Sequence, residues 1–531
     1  MQESKPYSNR DQKRQADFDS LLERQPPAFQ CFHIDEPKLI FSGGQSAVDP
    51  KSGIAAYGPL QSQVHQARHV RLGVVGTPIG IHGLKSYIER CLSKVEPGLN
   101  RRQKHYDPIC FPDFPGARST VGFRANFCVE REREIALKYF EHASKEGESS
   151  ARLKAVVNLV DKQLNVLCAM EPRPEVAIVV LPRCVEDACR SIGSQYRSRK
   201  QQLTPSEKAK RSILREEAKT NQIMLGLEFG ESISTEQDGF WNIHHALKAH
   251  AMKHGMPTQI AWESTLSGEG LTQDPATMAW NFFTALYYKS GNIPWLLETM
   301  SENTCYVGIS FYRDDPAKSS LQSSLAQAFS GHGEGLVLQG PKSIMDRKGN
   351  PVPHLSEIEA ERLLSEVLKL YTDFHEIAPK RVVLHKSSRF WPDELKGFEK
   401  ALSKIEYHDF VAISPSQGHR LLRLGKAPPV RGTAVQMSPG HYLLYTTGYV
   451  PYLGAYPGAH VPLPIEILEH HGGSSPETIC REIIALTKLN WNSCNFSCSE
   501  PITLQFARVV GSIVRELPTG IKPERRYRFY M

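Results

Sequence analysis

Short, continuously apolar runs alternate along this chain with longer segments whose apolar residues recur every three or four positions. Residues 70–76 (VRLGVVG) are a β-rich run, and 176–181 (VAIVVL) are apolar throughout, the pattern of a strand covered on both faces of a parallel sheet. A helix over 83–94 follows the first run. Between Trp241 and Lys289 the pattern predicts a helix bounded by Asp238 and Gly255, a strand over 256–262, and a second helix opened by Asp274-Pro275 and closed near Gly291. Strands alternating with helices predict an α/β architecture.

A second alternating unit begins after Pro294-Trp295. Its strands are expected at 305–311 (CYVGISF), 335–339, 381–385 (RVVLH) and 410–413. A helix between the second and third of these carries a capping box, Ser356 with Glu359, and an apolar stripe of Leu363, Leu364, Val367, Leu368 and Tyr371. Antiparallel strands follow Gly432, then helices over 476–489 and 502–515. The resulting division is a polar arm at 1–28, a first domain at 29–295 and a second at 296–531. Thr204 and Glu207 form another capping box, which starts a basic helix inserted in the first domain.

The first unit also carries candidate chemistry. His244 and Lys248 are four residues apart and share a helix face, Gln259 lies on the next strand, and Lys289 closes the helix after it. Together they make a set able to hold an anion; the same spacing also fits a solvated helix face. The glycines at 73, 76, 80 and 83 do not match the dinucleotide-binding spacing, which excludes that reading.

The pattern His-x-x-x-Lys, Gln after a strand and Lys at the next helix end resembles the MID domain of Argonaute proteins, with His244 where that family often has Tyr. Tyr306-Val-Gly308-Ile-Ser310, Val383-Leu-His385-Lys386 and the run from Leu486 to Asn492 followed by Pro501 to Ala507 resemble PIWI domains. The fold this implies is a Rossmann-like MID domain followed by an RNase H-like PIWI domain. With no room for N or PAZ domains before residue 30, the chain is similar to the short prokaryotic Argonautes. In that reading His244, Lys248, Gln259 and Lys289 grip the 5′ phosphate of a guide, and the carboxylate of Met531 helps to hold a Mg²⁺ ion there; an ordinary surface terminus is the alternative for Met531.

PIWI nucleases need clustered carboxylates to hold two divalent metals. Here the resemblance puts Ser310, Ser387 and Arg508 in three of those places, and two hydroxyls with a guanidinium cannot hold two Mg²⁺ ions. The expectation is a chain that is not itself an enzyme. It would bind a 5′-phosphorylated guide RNA and a single-stranded DNA target, and signal to an APAZ-containing partner carrying a TIR, Sir2 or nuclease effector in prokaryotic immunity. The rival is a guided nuclease with a relocated metal site drawing on Asp314, Asp315 and Glu334.

Composition narrows this little. Net charge is 64 − 57 = +7, compatible with nucleic acid but not demanding it. Local basic runs say more: residues 190–219 hold nine Lys/Arg against three Glu, and the segments 101–104 and 525–528 are compact basic patches, each of which is also compatible with a solvated face. The eleven cysteines lack zinc or disulfide spacing, and no apolar run is long enough for a membrane span, which together point to reduced thiols and the cytoplasm.

Overall fold

The computed structural model describes residues 29–62, 67–98, 109–118, 122–147, 149–189, 242–268, 274–298, 303–313, 321–329, 335–342, 353–416, 418–458, 461–518 and 520–531. The arm at 1–28, the patch at 101–104, the basic helix after Thr204 and Asp238 lie outside the described residues.

In chain order the first half contains β1 (Gln30–His33), β2 (Leu39–Ile40), β3 (Ser46–Ala47), α1 (Pro50–Tyr57), β4 (Arg68–Gly76), α2 (Pro78–Arg90), β5 (Ala125–Glu134), α3 (Leu137–Ala143), α4 (Ser149–Cys168), β6 (Val176–Leu181), α5 (Arg183–Cys189), α6 (Ile243–Met252), β7 (Thr258–Trp262), α7 (Glu263–Ser267) and α8 (Pro275–Lys289). Strands β4 to β7 form an all-parallel sheet in the order β5-β4-β6-β7. Leu72, Val74, Ile178 and Val180 face a core shared with α2 and α8, whereas Val75, Ala177, Val179 and Leu181 face one shared with α4 and α6. Both faces of the pleat are therefore buried at β6, which is why that strand reads as apolar throughout, whereas edge strand β5 carries charge.

The second half contains β8 (Leu296–Leu297), β9 (Thr304–Arg313), β10 (Leu321–Phe329), β11 (Gly335–Lys342), α9 (Glu357–His375), β12 (Arg381–Lys386), α10 (Pro392–Ala401), β13 (Tyr407–Pro415), β14 (Thr433–Ser438), β15 (His441–Leu444), β16 (Ile465–Gly472), α11 (Pro476–Leu486) and α12 (Ile502–Val514). Nine described strands pair in the order β1-β14-β15-β16-β13-β12-β9-β10-β11, with β9, β12 and β13 parallel and the others antiparallel. The α/β class expected from the pattern is the class observed.

Three details depart from the local pattern. The helix expected at 83–94 starts at Pro78, because the Thr77 hydroxyl accepts the Gly80 amide at 2.9 Å and Pro78 supplies a preset first turn; the two glycines sit inside it. The helix bearing His244 and Lys248 is capped by Asn242, whose side chain accepts from the His244 amide at 2.8 Å. Strand β10 (LQSSLAQAF) was not expected, since its composition lacks β-propensity; it is imposed by antiparallel pairing on both sides.

Strand pairing also crosses residue 295. Strand β1 pairs with β14 and completes the edge of the nine-stranded sheet, and β2 pairs with β8 across residue 295. The link after β1 is fixed by charge: Glu36 lies 2.9 Å from both Arg431 and Lys488. Burial raises the Glu36 pKa, but the two cations outweigh burial and leave it below the usual range. Burial likewise pushes Lys488 down to about 8. Removing one partner of so buried a group strands the others, at roughly 3–5 kcal/mol.

Candidate guide pocket and strand-end corner

The first candidate site grows out of three capped elements. Asp274 accepts the Thr277 amide at 2.7 Å and, with Pro275, starts α8, whose last residue is Lys289. Lys289 is fully buried and its ammonium donates to the Gln259 carboxamide oxygen at 2.5 Å. Gln259 is the second residue of β7 and also fully buried. On α6, buried Lys248 donates to the backbone carbonyl of Tyr530 at 3.2 Å. His244, one turn earlier on the same face, packs its ring edge-on against Trp262, centroids 5.4 Å apart.

What joins α6 to α8 is the end of the chain. Its last turn, Tyr527–Phe529, puts Tyr527 against Tyr288, the neighbour of Lys289, while Phe529 and Tyr530 share a core with Ala249 and Met252 of α6. Met531 is 1% exposed. The aromatic run before Met531 is thus an anchor: Tyr527 stacks edge-on against Phe506 of α12 at 4.2 Å, and the Tyr530 hydroxyl donates to the Glu524 carbonyl at 2.6 Å. The role of the Tyr530 carbonyl was not legible in the sequence, because a backbone oxygen carries no residue signal.

The second candidate site lies where β12 ends beside β9, which runs on past it. Ile309 pairs with Lys386, and the Ser387 amide donates to the Ile309 carbonyl at 3.4 Å, so Ser310 and Ser387 are neighbours beyond the last pair. In the parallel register they continue the face of Gly308 and His385. That face is covered by α12: Thr503 shares a 2.8 Å hydrogen bond with His385, and a Cβ at Gly308 would lie 2.1 Å from the Thr503 carbonyl. Gly308 is therefore demanded by close packing. Burial pushes His385 down to about 3, the Arg381 charge adding to it, so the imidazole is neutral.

Arg508, on α12, forms an ion pair with Glu500. On the opposite face of β12 the buried Lys386 ammonium bonds Glu394 at 2.5 Å and sits 5.4 Å from the ring centres of both Phe311 and Phe390. Among the described residues, no group of three or more His, Cys, Asp or Glu side chains is arranged to hold a metal ion. Asp314, Asp315 and Glu334 lie outside the described residues.

No protein-family model matches the chain. It is 23% identical over 287 residues to the protein argonaute of Aquifex aeolicus, a match covering 54% of this chain and 37% of that protein. Its fold matches Clostridium butyricum Argonaute, solved with a guide DNA and a 19-mer target DNA, at a TM-score of 0.59 and 14% identity, covering 94% of this chain and 54% of that one. The chain is similar to Argonaute proteins, in sequence over 54% of its length and in fold over 94% of it. Drosophila Piwi has the same fold at a TM-score of 0.52 and 13% identity, over 94% of this chain and 56% of that one. The chain thus spans about half the length, or less, of the proteins it matches. Among the described residues no helix is long and apolar enough to cross a membrane, and the eleven cysteines are free thiols.

Proposed function

We propose that this protein binds a 5′-phosphorylated guide, RNA in the cell, pairs it with single-stranded DNA, and does not cut. The observation that carries the reading is the contrast between its two sites. Buried Lys248 donates to the chain-end carbonyl of Tyr530 and buried Lys289 to the Gln259 carboxamide, whereas hydroxyls stand where β12 ends beside β9.

In the pocket, Lys248 and Lys289 supply charge, Gln259 positions the Lys289 ammonium, and His244 offers a further donor. A phosphate entering here exchanges their present oxygen partners for charge-assisted bonds, which are stronger. The Met531 carboxylate supplies a hard oxygen ligand that suits Mg²⁺, and the ion would neutralise phosphate and carboxylate together. At the strand-end corner, Ser310 and Ser387 contribute neutral oxygens and Arg508 a cation, a set that favours an anion such as backbone phosphate over a pair of divalent metals.

A duplex-binding chain that leaves its target intact acts through what the bound state changes elsewhere, and a ligand shifts such an equilibrium only by its differential affinity for the two states. The output is placed in an APAZ-containing partner with a TIR, Sir2 or nuclease domain, serving prokaryotic immunity in the cytoplasm. The experiment is to load the purified chain with a 5′-phosphorylated guide, add matched target with Mg²⁺ or Mn²⁺, and assay both cleavage and the co-expressed partner's activity. Intact target together with partner activity that requires guide and target supports the reading. Cleavage by the chain alone overturns it.

A further inference from the structure

The loop between β13 and β14 is the surface feature that neither site uses. From Asp409 to Glu466 the chain contains no other acidic residue, and within this span Arg420, Arg423 and Lys426 are all exposed. Between these cations stand Leu422, 91% exposed, and Leu424, 99% exposed. Isolated surface leucines need no explanation, but these have company.

The loop is held against the segment that follows β15. The Ser416 amide donates to the Pro464 carbonyl at 3.1 Å, the Leu421 amide to the Tyr445 hydroxyl at 2.7 Å, and the Arg423 guanidinium lies 5.8 Å from the Tyr449 ring centre. Tyr449 and Val430 are bridged, and Gly448 lets the two backbones meet: at φ +155° a Cβ there would sit 2.3 Å from the Pro429 carbonyl. The second segment brings its own exposed apolar groups, Tyr452, Val461 and Leu463. One face therefore combines apolar anchors, an aromatic ring and three cations without a counter-charge of its own segment.

Base stacking calls for exposed aromatic rings and backbone neutralisation calls for cations; neither calls for fully exposed leucines. Apolar anchors rimmed by charge are the composition of a protein interface. We infer that this face is the docking surface for the effector subunit of the preceding section, through a segment of that subunit whose acidic residues flank apolar side chains. The inference rests on that reading for the existence of the subunit. Charge complementarity decides the chemistry of the occupant: acid-free basic chain selects acidic chain and speeds its encounter, while the leucines fill apolar pockets and set the lifetime.

The test uses the whole chain co-expressed with an APAZ-containing protein from the same organism, and measures heterodimer affinity by titration and 5′-phosphorylated guide affinity in parallel. Leu422→Glu with Leu424→Glu is expected to weaken the heterodimer about 100-fold, on the order of a pair of interface anchors, and to leave guide affinity unchanged, which also shows that the variant is folded. Arg420→Ala with Arg423→Ala is expected to slow association and flatten its salt dependence. A wild-type heterodimer that the leucine variant retains at full affinity overturns the docking surface and leaves the proposed function standing. Failure of wild type to bind the APAZ protein overturns both. Loss of guide–target affinity in the arginine variant, with the heterodimer intact, assigns the face to nucleic acid, and a self-associated chain that the leucine variant returns to monomer assigns it to a second copy; either outcome overturns the inference.

Discussion

The pocket around Lys248 and Lys289 lies by an edge strand of the all-parallel sheet and the corner at Ser310 and Ser387 within the nine-stranded mixed sheet, and they treat charge in opposite ways. The pocket buries two ammonium groups and ties each to an oxygen brought from another element. Burying such groups is costly, and a fold retains them where partners or ligands offset the cost. The corner holds hydroxyls, which are cheap to bury, beside a histidine that burial keeps neutral. On the proposed reading one site receives an anion, and the other offers hydroxyls where metal chemistry requires carboxylates.

The largest expected effect tests the pocket half of that contrast. Lys248→Ala combined with Lys289→Ala removes two charge-assisted bonds of about 1.5–3 kcal/mol each, so guide affinity should fall by roughly 10²- to 10⁴-fold. The preference for 5′-phosphate over 5′-hydroxyl guides should shrink with it, as read by competition binding. An undiminished preference would move the anion site elsewhere.

Next in size is a pH effect at the corner. The ordinary histidine value is 6.5 and that of folded His385 about 3, so between these pH values the unfolded chain binds a proton that the folded chain refuses. Stability is full above 6.5 and declines as pH falls towards 3, by a few kcal/mol on the order set by linkage. His385→Gln, which keeps a partner for Thr503, should flatten that limb in denaturant titrations run across the window. A variant with the same slope as wild type would remove His385 from the account of acid sensitivity.

A smaller effect is expected where the chain end meets the pocket. Residues appended after buried Met531 must displace the turn whose Tyr530 carbonyl holds Lys248. Guide affinity should drop about tenfold, the equivalent of one charge-assisted bond, in a chain that still folds with a lowered melting temperature. The corner supplies the smallest: Ser310→Asp with Ser387→Asp should leave target-dependent activity of the partner within about twofold of wild type, because that activity is placed outside this chain. A partner that required the two aspartates would erase the contrast between the sites.

Much of this molecule is legible one element at a time. The Asp274-Pro275 start of α8, the Ser356 and Glu359 box of α9 and the apolar run of β6 are local, since a cap needs only the next three residues and a doubly covered strand needs only its own side chains. For the same reason the spacing of His244 and Lys248 sufficed to put them on one helix face. Other features have no local cause. Strand β10, with its serines, glutamines and alanines, exists because β9 and β11 flank it, and β1 joins a sheet whose neighbouring strand lies about four hundred residues away in the chain.

The meeting of Lys289 with Gln259, of Lys248 with Tyr530 and of Glu36 with Arg431 and Lys488 belongs to that second class. Local sequence accounts for the residue types and for most of the helices and strands that carry them. Which of those side chains meet is a tertiary outcome, because contacts between distant segments are set by the packing of whole faces and by backbone oxygens that leave no mark on the residues around them.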